Sequence, residues 1–178
     1  PDPGEHTFHM HMSPVINDCM YRNMYAYDKV VVTDLDELII PKTAMTYREM
    51  IKEIDEKDAK SFHPARHYTF RNAYFFFDIP HVDTSMPKQL VTLRHRWRLQ
   101  PSIVGYSAKT IVDPRSCINM HNHYCWGKTK LYEHGQQQYY VSEVYGLNNH
   151  YKKCHFNDYE KVDKCGPEIK MAVEDNVM

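Results

Sequence analysis

Apolar and polar positions along the chain follow two periods, and each change of period marks an element. In "SPVINDCMYRNMYAYD" the residues Val15, Ile16, Cys19, Met20, Met24 and Tyr27 recur at helical spacing on one face. Ser13 is the expected N-cap and Pro14 the first helical residue. The next run, "VVVT" from Val30, is the short β-branched stretch of a strand covered on both faces. "TYREMIKEIDEKDA" returns to helical spacing, with Thr46 and Glu49 as a capping box and Met50, Ile51 and Ile54 as its buried stripe. "HYTFRNAYFFF" and "KQLVTLRHRW" read as strands on either side of the Pro-punctuated loop "DIPHVDTSMP". "KTIVDP", "SCINMH" and "QQYYVSEVYGLNNHY" predict further short strands. After Cys154 the chain is polar and charged, and it is expected to fray or wrap the surface. The order predicts a mixed α/β layer with the Val30 strand at its centre. Burial should then be deepest at Val30, Val31, Val32, Ile16 and Met20.

Length and composition narrow the picture. The 178 residues make one domain's length, with no repeat and no low-complexity tract. A net charge of -1 gives no electrostatic case for nucleic acid or an acidic membrane surface. No apolar run approaches the ~18–20 residues of a membrane-spanning helix. The chain starts at Pro1 without an initiator Met, which suggests an excised or partial domain, so absent targeting signals carry no weight. Five cysteines lack C-x-x-C spacing, which argues against a zinc knuckle. One or two disulfides in an oxidising lumen fit them, and free thiols in a cytosolic protein fit nearly as well. Cys154 and Cys165 are the expected pair, because the loop is short and the segment too polar to dock by burial.

The chemistry concentrates in "VVVTDLDELIIP", where three acids in four positions follow the β-branched run. If the strand continues, Asp34 and Asp36 share one side and Leu35 faces the other. Two carboxylates ~6–7 Å apart repel by about 2–3 kcal/mol at an effective dielectric of ~20, so something must offset them. Mg²⁺ or Mn²⁺ prefers such oxygens and leaves positions for water and phosphate. Open α/β sheets bind ligands at strand carboxyl ends, which favours this over a loop whose acids cap a helix.

The segments "NDCMYRNMYAYDKVVVTDLDELIIP", "HRWRLQPSIVGYSAKTIVDP", "INMHNHYCWG" and "GLNNHYKKC", in that order, resemble the C-terminal half of glycosyltransferase family 92 over residues 14–165, with 166–178 as a polar tail. The resemblance implies a GT-A-like mixed sheet with flanking helices, incomplete on its N-terminal side. It also implies inverting transfer of a hexose, galactose first, from a UDP-sugar to a glycan or glycoprotein acceptor. A divalent cation, Mn²⁺ or Mg²⁺, would act through the D-x-D. The location would be the Golgi lumen, with membrane attachment through a segment outside this chain. Carried over residue by residue, Asp36 is the first metal ligand. Asp34 would contact the ribose, or reach the metal directly or through water. Glu37 would face inward to a basic or backbone partner. His150 is the expected late ligand, since strand alternation sets it with Asn148, opposite Leu147 and Tyr151. His123 is a second candidate, for substrate or metal.

Other candidates come from general chemistry. Lys109 and Lys152 could neutralise diphosphate, and Trp97 could stack a pyranose ring. A general base is needed near the acceptor hydroxyl, and Asp78, Asp83 and Glu143 are all eligible. Two other classes compete. "VVVTDLDEL" also resembles the opening of haloacid-dehalogenase phosphatases, with Leu38 where that motif wants Thr or Val. "HTFHMHMSP" alternates soft-metal ligands, with His9 and His11 on one side if extended, as in a non-catalytic metal-binding protein.

Overall fold

The computed structural model describes residues 3–57, 65–77, 82–98, 100–129, 138–153 and 173–174. It is mixed α/β, with few helices and small mixed sheets, as the pattern predicts. A four-stranded sheet has the order β1-β6-β3-β9, formed by β1 (Val30–Val31), β6 (Lys109–Val112), β3 (His67–Phe70) and β9 (Gln138–Tyr140). A second sheet has β10 (Gly146–Lys152) between β2 (Glu37–Pro41) and β4 (Asn72–Phe76), antiparallel to the first and parallel to the second. β7 (Cys117–Met120) and β8 (Cys125–Lys128) form a hairpin, and β5 (Trp97–Arg98) pairs with β11 (Val173–Glu174). No helix among the described residues is long and apolar enough to cross a membrane.

The expectation of a central, deeply buried Val30 strand is not met. β1 is a two-residue edge, and Val31 is 38% exposed. β6 and β3 occupy the centre instead, each buried at all four residues, because "KTIV" and "HYTF" find neighbours on both sides. Val30 and Val32 pack only at the margin of a small core made by Met20, Val112, Cys117, Met120 and Cys125.

Helix α1 (Pro3–Asn23) starts ten residues before the expected N-cap, with Pro14 inside it. An interior proline removes one ladder bond. The helix is nevertheless held at the next turn, where Asn17 Nδ2 donates to Met120 O (2.9 Å) and Asn17 Oδ1 accepts from Met120 N (2.8 Å). Only Met20 on its predicted face is deeply buried, while Val15 and Cys19 are exposed. His9 and His11 therefore belong to a helical stretch of backbone rather than to the extended segment expected for a soft-metal pair.

Helix α2 (Tyr47–Lys57) forms as the pattern predicts. Thr46 N donates to Glu49 Oε2 (3.0 Å) and Glu49 N to Thr46 Oγ1 (3.2 Å), the reciprocal bonds of a capping box. Met50 and Ile54 are fully buried in the main core with Ile39, Tyr68, Phe70 and Ile111. Gly146 opens β10 because a Cβ there would meet Ile40 O at 2.9 Å. "KQLVTLRHRW" is not one strand. Leu93 N and Arg94 N both donate to Leu90 O, and α3 (Val91–Arg94) forms before the short β5. An exposed segment without a sheet partner satisfies its backbone locally.

Among the described residues a disulfide joins Cys117 to Cys125, eight positions apart. Cys154 and Cys165, the expected pair, lie outside the described residues. Closing so short a loop stabilises by about 2–3 kcal/mol in the chain-entropy model. Reduction should therefore lower the denaturant midpoint, and equal midpoints with and without reductant would show that the bridge contributes nothing.

Candidate active site

Four elements meet around one buried charge. After β1 the chain does not continue as a strand. Glu37 N donates to Asp34 O (3.1 Å), closing a turn with Leu35 at its exposed tip. Asp34 and Asp36 therefore share no strand face, and each carboxylate turns to a different partner. The turn delivers Glu37 to the first position of β2, where it is buried.

Lys109, from the central strand β6, fills the space behind the turn and is fully buried. Its Nζ donates to Asp34 Oδ2 (3.0 Å), Asn122 Oδ1 (2.8 Å) and Asn122 O (3.1 Å), and lies 2.8 Å from Glu37 Oε2. An ammonium has three protons, so none remains for a phosphate. Lys109 is thus the internal counter-charge of the acids rather than the diphosphate ligand expected from sequence. Burial raises the Asp34 pKa, but the bonds from Lys109 and Asn122 outweigh it and hold the carboxyl below its ordinary range.

His150 projects from β10, opposite Glu37 in the antiparallel register. Its Nδ1 lies 3.1 Å from Glu37 Oε1, off the line of a good hydrogen bond, and its Nε2 lies 3.3 Å from Asp36 Oδ2. Glu37 thus stands between Lys109 and His150, with one oxygen toward each. The predicted alternation of β10 holds. Asn148 donates to Asn72 Oδ1 (2.7 Å), while Leu147 and Tyr151 pack on the other face with Ala73 and Phe75. Tyr74, from β4, lies 5.3 Å from the His150 ring, and Lys152 Nζ sits 5.9 Å from the same tyrosine ring.

The β7–β8 loop closes the cluster from above. Asn122 Nδ2 donates to Asp34 Oδ2 (3.3 Å), and Thr110 Oγ1 donates to His123 O (2.8 Å). His123 Nδ1 pairs with Ala108 O at 3.1 Å. Burial, and then the charge of Lys109, keep the His123 imidazole below its ordinary pKa, so it is neutral at neutral pH.

The remaining candidates are not drawn into this cluster. Asp83 accepts from Ser85 N (2.9 Å) and Oγ (2.6 Å) and faces Arg96, while Glu143 faces Arg71 at 3.5 Å. Asp78 and the Trp97 side chain lie outside the described residues. Among the described residues no three His, Cys, Asp or Glu side chains converge to hold a metal on their own. Asp36 and His150 come together, and Asp34 is turned toward Lys109. Sequence reasoning missed Asn122 and Tyr74. Both are ordinary polar residues one or two positions from stronger signals, and only the meeting of β4, β6, β10 and the loop gives them a role.

A family model for glycosyltransferase family 92 matches residues 1–176, essentially the whole chain and more than the stretch that carries the resemblance. No curated protein matches at a significant level.

Proposed function

The chain belongs to glycosyltransferase family 92, whose members join a sugar donor to a glycan acceptor, and from that premise we propose an inverting hexosyltransfer centred on Asp36 and His150. The donor is a UDP-sugar, galactose first, and the acceptor a glycan or glycoprotein. The setting is the Golgi lumen, whose oxidising environment suits the Cys117–Cys125 bridge. The observation that carries this reading is the 3.3 Å between Asp36 Oδ2 and His150 Nε2. Adjacent ligands on an octahedral ion with ~2.1 Å bonds stand roughly 3 Å apart, so this pair fits Mn²⁺ or Mg²⁺. A carboxylate oxygen with an imidazole nitrogen is also a donor set that Mn²⁺ accepts. Asp34, still 44% exposed, keeps Oδ1 for ribose or a bound water.

When bound, the metal would neutralise the departing diphosphate as a Lewis acid. The chain's own residues prepare that position. Glu37 Oε1 stands beside His150 Nδ1 and would accept its N–H once Nε2 is given to a metal. Lys109 offsets part of the charge of Glu37 and Asp34, which lowers the repulsion among the acids of the turn. Lys152, beside Tyr74, is a cation that could meet the diphosphate. The family match over residues 1–176 takes the ground from the phosphatase alternative.

Calorimetric titration with UDP, with and without Mn²⁺, tests the reading. Wild type should bind UDP more tightly with Mn²⁺. His150→Ala should lose that gain by about tenfold or more while unfolding at a similar temperature. Identical UDP binding in all four titrations would sink the metal site.

A further inference from the structure

The β7–β8 loop divides its side chains between two tasks. Asn122 and His123 are spent on anchorage to Lys109, Asp34, Thr110 and Ala108. Tyr124 and Trp126 are left exposed, and the half-buried His121 completes a group of rings with them. His121 stacks on Trp126 with centroids 4.4 Å apart and planes 10° from parallel. Tyr124 lies 6.0 Å from His121 and 6.4 Å from Trp126. Trp126 is nevertheless 60% exposed. His121 N donates to Tyr124 O (2.9 Å), and the Cys117–Cys125 bridge ties the hairpin together one residue before Trp126.

This is an unusual use of tryptophan. Folding alone would bury so large an apolar ring, whereas here it is backed by a histidine, held on a disulfide-closed hairpin and kept open to solvent. The hairpin that carries it touches the D-x-D directly through Asn122 of its loop. We infer that Trp126, flanked by Tyr124 and backed by His121, is the platform on which a pyranose ring of the acceptor glycan stacks. The C–H face of a sugar ring is flat, weakly polar and matched to an indole. The hydroxyls around its edge remain free to meet water or Tyr124 Oη. Rigid presentation lowers the entropy lost on binding, which gives the bridge a purpose beyond stability. The inference rests on the proposed transfer site at Asp36 and His150, because the acceptor must lie beside it.

The probes are methyl glycosides of glucose, galactose, mannose and N-acetylglucosamine, with the corresponding β-linked disaccharides. Their binding is followed by saturation-transfer NMR on wild type, Trp126→Ala and Trp126→Phe, and UDP binding is measured in parallel. At least one sugar should bind wild type and weaken by about five- to tenfold in Trp126→Ala. Trp126→Phe should fall between the two, and UDP binding should not change. The platform is overturned if no sugar binds wild type or if Trp126→Ala binds sugars equally well. It is also overturned if Trp126→Ala converts a dimer to a monomer in sedimentation, which would make the ring an interface between copies. Sugar binding lost in Trp126→Ala, in a wild type that ignores UDP and Mn²⁺, would keep the platform and remove the transfer site.

Discussion

Lys109→Met is expected to destabilise the protein by about 3–5 kcal/mol, the cost of removing one partner from a buried ion pair. Methionine preserves most of the volume, so the loss is electrostatic. Glu37 is buried and would be left with the Asp34 N–H and His150 but no ammonium, and Asp34 and Asn122 would each lose a donor. For a chain of this size the melting temperature should fall by roughly 6–20 °C. Lys109→Met with Glu37→Gln should recover part of that loss, because the second change removes the stranded charge. The pH dependence follows from the lowered Asp34 pKa. The stability contributed by this carboxylate is fully present above its unfolded value of ~3.9. It is lost as pH falls through the lower folded value. A Lys109→Met protein that melts with wild type would show that the acids find their counter-charge elsewhere.

Asp36→Asn should behave in the opposite way, with a large loss of transfer and little loss of fold. The side chain is 47% exposed and faces His150. Amide for carboxylate leaves the shape nearly unchanged and removes one charge from an acidic turn, so the unliganded melting temperature should hold or rise slightly. Sugar transfer should fall by about 100-fold or more, since a lost electrostatic contact to a leaving group costs about 3–4 kcal/mol. Steady-state transfer assays beside thermal melts separate the two effects. Full activity in Asp36→Asn, or activity indifferent to chelator in wild type, would reduce the acid to a turn residue.

These two positions also show where sequence reasoning reached and where it stopped. The acids of "DLDE" and His150 were legible because their residue types are uncommon in that order and because β10 alternates strictly. The helix at Thr46, the strand "KTIV" and the strand at "GLNNHYK" were legible for the same reason, since capping boxes and period-two burial are local signals. Lys109 was visible only as a lysine before a strand, where a solvated or phosphate-facing side chain is the ordinary expectation. Its burial depends on Asp34, Glu37 and Asn122 arriving from three other places. The disulfide partner of Cys117 was equally hidden, because five cysteines carry no record of which pair the hairpin brings together.

The sequence alone was enough for the class of fold, the family, the second helix, most strand segments and the position of the acidic motif. All of these rest on short-range periodicity, capping and motif order. Tertiary structure decided that β1 is an edge, that α1 runs through Pro14 and that β3 and β4 part at Arg71 into different sheets. It also decided that Asp34 and Asp36 diverge, and that a buried lysine pairs with Asp34 and Glu37 while Asp36 turns to His150. The reason is physical. Burial and charge pairing depend on which distant segments share space, and a β-branched run such as "VVVT" is equally content at a centre or an edge. Only its neighbours in the sheet make the choice.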